Sequence, residues 1–246
     1  MIAMGIRSTA ERTRRIQVHS PELHGIKSEW MISDEDPSLS PTIFLVEQPA
    51  GMVLPAHFHR NNQFQLVVAG TGKIGPTKLE PVTIHYAGAY TAYGPLLAGP
   101  EGLKYFTIRP VHESGMQVVA ETPQHAWPKG PRCHATSKQV AVLSDHELAQ
   151  ATHLLTANAI AGDGGMRADV CTLPPGSELD LFWHEETEGL FIFVLAGSVE
   201  VEAVTLGLWE SVFLSSDELT TPIRAGAGGA QVAILAPPAL APAYRT

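Results

Sequence analysis

Two stretches of this sequence repeat one another half a chain apart. Phe44-Leu-Val-Glu-Gln-Pro-Ala-Gly51 and Val170-Cys-Thr-Leu-Pro-Pro-Gly176 each lead through a short polar segment to an apolar run closing on Ala-Gly, at Leu66-Val-Val-Ala-Gly70 and at Phe193-Val-Leu-Ala-Gly197. Gly51 and Gly176 stand 125 residues apart in a chain of 246, the displacement expected of a duplicated unit. Any fold proposed for the chain therefore has to be buildable twice, from about 120 residues each time, a size at which one core per copy is normal.

Within each copy, short runs rich in Val, Ile, Phe and Tyr are bounded by Gly or Pro, the pattern of strands and hairpins. Strands are expected near Thr42–Glu47, Phe64–Val68, Val82–Tyr86, Tyr90–Tyr93 and Leu103–Arg109, and again near Arg167–Thr172, Leu190–Leu195, Val199–Val204, Ser211–Leu214 and Gln231–Leu235. One helix is expected at Ser144–Ala151, where Ser144 caps and Glu147 supplies the capping-box carboxylate. Thr122-Pro-Gln-His-Ala-Trp-Pro-Lys-Gly-Pro131 has no periodicity and reads as part of a connection over 121–138, between an N-terminal domain with its arm (1–120) and a C-terminal one (139–246). Many strands of even size, with 22 Gly and 19 Pro to turn them, predict an all-β protein of two antiparallel barrels or jelly rolls in tandem.

Charge narrows the partners. Lys plus Arg number 16 against 25 Asp plus Glu, a net charge of −9 that repels phosphate backbones, so nucleic acid is not expected as a partner. Met1–Arg15 carries four arginines among polar residues and reads as no signal peptide, and the uncharged run Ala225–Tyr244 is broken by Gly and Pro, so no membrane partner is expected either. Cys133 and Cys171, without metal-ligand spacing around them, give no disulfide framework and point to a reducing, cytoplasmic compartment.

The sharpest local pattern is Gly51-x5-His57-x-His59-x3-Gln63-x6-Gly70. On a strand, residues two apart share a face, so His57 and His59 point the same way and could chelate one divalent metal. If the next strand runs antiparallel beside them, Gln63 and Gln65 project into the same space. The pattern resembles the first sequence motif of the cupin superfamily, Gly-x5-His-x-His followed by Glu and then Gly, with Gln63 where the family has Glu. The resemblance implies a double-stranded β-helix, the cupin jelly roll, and over the duplicated chain a two-domain bicupin. It also implies a metal site of His57, His59 and Gln63. A neutral amide there weakens the site, since it brings no negative charge to the ion. Gly88-Ala-Tyr-Thr-Ala-Tyr93-Gly-Pro95 begins the family's second motif, but no histidine follows in Leu96–Leu103. His85 is either a replacement ligand or a buried histidine bonded to backbone, and Tyr90 and Tyr93 are expected as pocket wall.

The second copy reads Gly176-x5-Phe182-x-His184-x3-Glu188, which keeps the carboxylate but loses the first histidine, while a frame shifted to honour Gly197 pairs His184 with His57 and Glu186 with His59; in either frame it is expected to be a structural half without metal. Gly70-Thr-Gly-Lys-Ile-Gly75 spells a dinucleotide fingerprint but is followed by Pro76 and no helix. Cupin relatives include dioxygenases, decarboxylases, isomerases and lyases that use Fe, Mn, Ni or Zn, along with proteins that catalyse nothing, so fold does not select function. Two readings remain open. In one, a mononuclear metal enzyme, of dioxygenase, isomerase or lyase type, acts on a small polar organic compound in the N-terminal barrel; no catalytic residue is named by the sequence. In the other, a metal-free, non-catalytic pocket binds or senses a small polar or acidic ligand through His57, His59, Gln63 and Gln65. A homodimer is expected, because cupin barrels commonly bury a sheet edge against a partner.

Overall fold

The computed structural model describes residues 6–8, 14–19, 24–31, 41–113, 115–123, 127–181, 186–201, 204–215 and 222–245, with backbone only for 6–8 and 14–19. Phe182 and His184, which the unshifted motif frame sets against His57 and His59, lie outside the described residues. Contacts divide the chain into two units, Thr13–Gln139 with Leu240–Thr246 and Val140–Ala239 with Met1–Arg12. Each unit thus holds one terminal segment that the expected boundaries placed in the other.

In the N-terminal unit the main sheet runs in the order His134–Thr136, Ile84–Ala87, Gln63–Ile74, Leu96–Arg109, Thr42–Gln48, His24–Met31, Arg14–His19. Val53–Leu54 and Thr77–Leu79 join it off this path, and a two-stranded ribbon pairs His57–Phe58 with Gln117–Val118. All pairings are antiparallel. Two-residue alternation then sorts side chains by face. Register sets Gln65 opposite both Thr107 and His85, and Tyr105 opposite Val46 and Val67, so these residues share the inner face of the curved sheet. The segment 121–138 carries the short strand His134–Thr136, which pairs with the strand of His85.

The C-terminal unit repeats this order as Ser211–Leu214, Leu190–Val201, Ile223–Ala236, Arg167–Leu173, Leu155–Ala161, with Ile6–Ser8 added beside Ser211–Leu214. Strand lengths match pair by pair: 7 residues for Thr42–Gln48 and Arg167–Leu173, 12 for Gln63–Ile74 and Leu190–Val201, 14 for Leu96–Arg109 and Ile223–Ala236. The closing glycines of the repeat have one job in both halves. Gly70 (φ +72°) and Gly197 (φ +70°) sit where a Cβ would overlap the carbonyl of Gly102 or Gly229, so the strands can cross this closely only without a side chain. The helix forms at Asp145–Ala149 with the Ser144/Glu147 capping box in place and only Leu148 buried.

The expected strand Tyr90–Tyr93 is instead an irregular turn in which Tyr93 makes one isolated bridge with His57. Tyr90 stands at φ +56°, a left-handed conformation that no strand accommodates. No helix of the described residues is long and apolar enough to cross a membrane.

Candidate functional site

A cavity of about 620 Å³ opens inside the N-terminal sheet. Its walls are of two kinds. Phe44, Val46, Leu54, Met116 and Val118 are apolar, while Lys27, His57, His59, Gln65, Tyr93, Tyr105, Thr107, Arg109 and Glu113 are polar or charged. Tyr105, Thr107 and Arg109 are successive inward positions of one strand, with Gln65 beside Thr107 on the next. The segment after Arg109 folds back over the opening: Gln117 and Val118 pair with Phe58 and His57, and the Glu113 carboxylate accepts the main-chain N–H groups of Arg60 (2.9 Å) and Asn61 (3.2 Å).

His57 and His59 do share a face, their rings 5.3 Å apart and both buried. Their tautomers follow from main-chain carbonyls, which only accept hydrogen bonds. His57 Nδ1 lies 2.7 Å from Pro55 O and must carry its proton there, leaving a lone pair on Nε2. That lone pair meets the Tyr93 hydroxyl at 2.8 Å, and the hydroxyl in turn accepts from Gln63 Nε2 (2.5 Å) and Gln65 Nε2 (3.3 Å). Tyr93 therefore donates once and accepts twice, its full capacity.

His59 Nδ1 donates in the same way to Gly115 O at 3.1 Å, which leaves Nε2 to accept from Arg109 Nη2, also at 3.1 Å. The 3.0 Å approach of that nitrogen to Nδ1 is then overlap of the guanidinium with the ring edge, since both groups are donors. Arg109 Nε donates to Gln63 Oε1 at 3.0 Å, and Nη1 to the Glu113 main-chain carbonyl at 3.3 Å.

Electrostatics agree with this assignment. Burial, then the neighbouring His59, pushes His57 down to about 4, and burial followed by Arg109 lowers His59, so both imidazoles are neutral at pH 7. Burial pushes the Tyr93 and Tyr105 phenols up, which keeps them protonated donors. Burial alone would raise Glu113, but the adjacent His59 ring edge, the Arg60 N–H and the Arg109 charge hold it below the usual carboxylate range.

The expected metal ligands are thus brought together, but each of their ligating atoms already accepts a hydrogen bond: His57 Nε2 from Tyr93, His59 Nε2 and Gln63 Oε1 from Arg109. A divalent cation would have to displace both donors and sit beside a buried guanidinium of like charge. The site as built does not fit one, and among the described residues no three His, Cys, Asp or Glu side chains are grouped to hold a metal.

The other expected residues divide. Gln65 and Tyr93 line the cavity. Tyr90 turns the other way, its ring against Phe58 and Tyr244 at 6.0 and 4.8 Å between centroids, because Phe58 faces away from its neighbours His57 and His59 and Tyr90 follows it. His85 is buried on the inner face with Nδ1 2.8 Å from Thr136 Oγ1 and its ring 5.1 Å from Tyr93, but it is not a lining residue, and its Nε2 has no hydrogen-bond partner among the described residues. Arg109 and Glu113 were not singled out from the sequence. The available signal was an arginine two and four positions after Thr107 and Tyr105, on their face of an expected strand, where the second copy has Ala236.

No protein-family profile matches the sequence, and neither does any curated protein. Solved structures do match its fold. A deletion mutant of Bacillus subtilis oxalate decarboxylase superposes with TM-score 0.62 at 10% identity, over 97% of this chain and 79% of the other. A proposed dioxygenase of Nostoc punctiforme PCC 73102 gives 0.61 at 10% identity, over 97% and 90%. Oxalate decarboxylase of Lactobacillus farciminis, in complex with formate, gives 0.60 at 9% identity, over 96% and 86%. The architecture is accordingly the cupin jelly roll, present here as two tandem barrels.

Proposed function

We propose that this chain is a bicupin in which the N-terminal barrel is a metal-free chamber for a small organic ligand and the C-terminal barrel is a structural companion without a chamber. One observation carries the reading: the single lone pairs of His57 Nε2 and His59 Nε2, and one of the two on Gln63 Oε1, are directed at protein donors. Tyr93 and Arg109 take the electrophile's place that a metal ion would have. A cavity of about 620 Å³ with an apolar wall and a few convergent polar groups is the form of a small-molecule site. The Mn(II) centres of B. subtilis oxalate decarboxylase belong to that protein, and a likeness near 10% identity carries the fold rather than the ion.

Elemental analysis of protein purified without chelators tests this, before and after incubation with Mn(II), Fe(II), Ni(II) and Zn(II). We expect a substoichiometric content that His57→Ala and His59→Ala leave unchanged. One metal per chain, lost in both variants, would establish the mononuclear metal enzyme instead. We further propose a homodimer in a reducing, cytoplasmic setting. Leu155–Ala161 ends its sheet among the described residues and presents Leu155 with 63% of its surface exposed, and Cys133 and Cys171 are both free thiols. Sedimentation as a monomer at micromolar concentration would refute the dimer.

A further inference from the structure

Arg109 is 3% exposed, and no carboxylate lies within 4.0 Å of its guanidinium among the described residues. That is rare for a buried charge, which folding normally pairs or neutralises. The acid closest to the role, Glu113, spends its carboxylate on the N–H groups of Arg60 and Asn61 and lies 3.6 Å from His59 Nδ1; it bonds Arg109 only through its main-chain oxygen, and its charge acts on the guanidinium from beyond ion-pair distance. Of the five N–H groups of Arg109, one on Nε, one on Nη1 and one on Nη2 are committed to Gln63, Glu113 and His59. One N–H on each terminal nitrogen is left, on a side chain that lines the cavity.

Along the same wall the Thr107 and Tyr105 hydroxyls have no partner in the protein among the described residues, and Gln65, whose Nε2 is bound to Tyr93, keeps its Oε1 open. Beside them on the next strand are Phe44 and Val46, the cross-strand neighbours of Thr107 and Tyr105, and Met116 lines the same cavity.

Building on the metal-free chamber proposed above, we infer that its ligand is a small organic carboxylate with a hydroxyl near the acid group and an apolar body. The carboxylate takes the two remaining N–H groups of Arg109 and completes its charge pair. The hydroxyl donates to Gln65 Oε1 and accepts from Thr107, and the body packs against Phe44, Val46 and Met116. A neutral analogue would leave the guanidinium as unpaired as it is without ligand, so discrimination should be steep.

The test is calorimetric titration of the full chain, dialysed against EDTA, with three compounds of one skeleton: mandelate, mandelamide and 1-phenylethane-1,2-diol. Mandelate is expected to bind at least about 10-fold more tightly than either neutral compound, a gap of about 1.4 kcal/mol. Arg109→Gln should abolish that gap, with Arg109→Lys, which keeps the charge but not the fork, in between. Thr107→Val should weaken mandelate several-fold without affecting the fold. Should Arg109→Gln fail to fold by circular dichroism, the mandelate-to-mandelamide ratio in the wild type and the loss in Thr107→Val still decide the matter. Equal binding of all three compounds would overturn the carboxylate assignment and leave the metal-free chamber standing. Mandelate binding that appears only once Mn(II) is returned would overturn the metal-free chamber. Failure of all three to bind would overturn the ligand class.

Discussion

The two barrels share strand order, strand lengths and crossing glycines, yet among the described residues the inner face of one is polar around a cavity and that of the other is aliphatic. Register makes the comparison residue by residue, at a constant displacement of 127 positions along the longest strands. Gln63 corresponds to Leu190, Gln65 to Ile192, His85 to Val212, Tyr105 to Val232, Thr107 to Ile234 and Arg109 to Ala236. Every inward polar group of the N-terminal barrel in that series meets an aliphatic one in its twin, and those aliphatics form one continuous buried cluster. Backbone pairing is indifferent to this exchange, since sheets are held by main-chain groups and by any inner face that fills its space. A jelly roll therefore tolerates either interior.

The largest expected difference between the halves appears on acidification. His57, His59 and His85 are the buried histidines among the described residues, and all belong to the N-terminal half. Burial, then His134, takes His85 down to about 3, and burial takes His57 to about 4, both from 6.5. Because the folded-state values lie below the unfolded ones, the unfolded chain binds these protons first as pH falls. The stabilisation is complete above about pH 6.5 and is lost progressively toward pH 4, by on the order of 3 kcal/mol for His57 alone. Hydrogen exchange read by mass spectrometry, corrected for intrinsic rate, should show residues 41–113 opening well before residues 155–236 between pH 6.5 and 4. Simultaneous opening would mean that the interiors do not differ electrostatically.

Next in size is Arg109→Leu. It leaves Gln63 Oε1, His59 Nε2 and the Glu113 carbonyl without their donor, and each lost buried partner costs about 1–3 kcal/mol. Urea denaturation should give a loss of at least about 2 kcal/mol, whereas a neutral or stabilising result would show that the cost of burying the guanidinium outweighs the hydrogen bonds it donates.

The reciprocal pair Gln63→Leu and Leu190→Gln attacks the comparison directly. Gln63→Leu strands Arg109 Nε and takes one donor from Tyr93, and Leu190→Gln puts an unpartnered amide among Ile192, Val212 and Leu214; both should destabilise, by about 2 kcal/mol each. If either is tolerated at no cost, the interior of that barrel is looser than its packing shows. Tyr93→Phe is the mildest change. It removes the hydroxyl shared by His57, Gln63 and Gln65 while keeping the ring, for an expected loss of about 1 kcal/mol in thermal or urea unfolding.

Parts of this were legible in the chain alone. The repeat located both copies of Gly70 and Gly197, because close strand crossing demands glycine wherever it occurs. The capping box at Ser144 and Glu147 was readable because its partners are three residues apart. His57 and His59 were rightly placed on one face by strand period. Tyr90 went astray because a left-handed φ at a tyrosine has no sequence signature, and one such residue reverses the direction of the side chain. Arg109 fell on an expected strand, yet its inward face depends on which neighbour it pairs with, and register is not written in a single strand.

By itself, then, the sequence determined a duplicated all-β chain and a polar cluster in its first half, since both follow from local period and local turns. What the lone pairs of that cluster do was decided only by tertiary structure. Arg109 comes from 46 residues beyond Gln63 and 50 beyond His59, and Tyr93 from 36 beyond His57. A hydrogen-bond acceptor looks the same in sequence whether it awaits a metal or is already satisfied, and only the folding of distant strands onto one face brings up the donor that satisfies it.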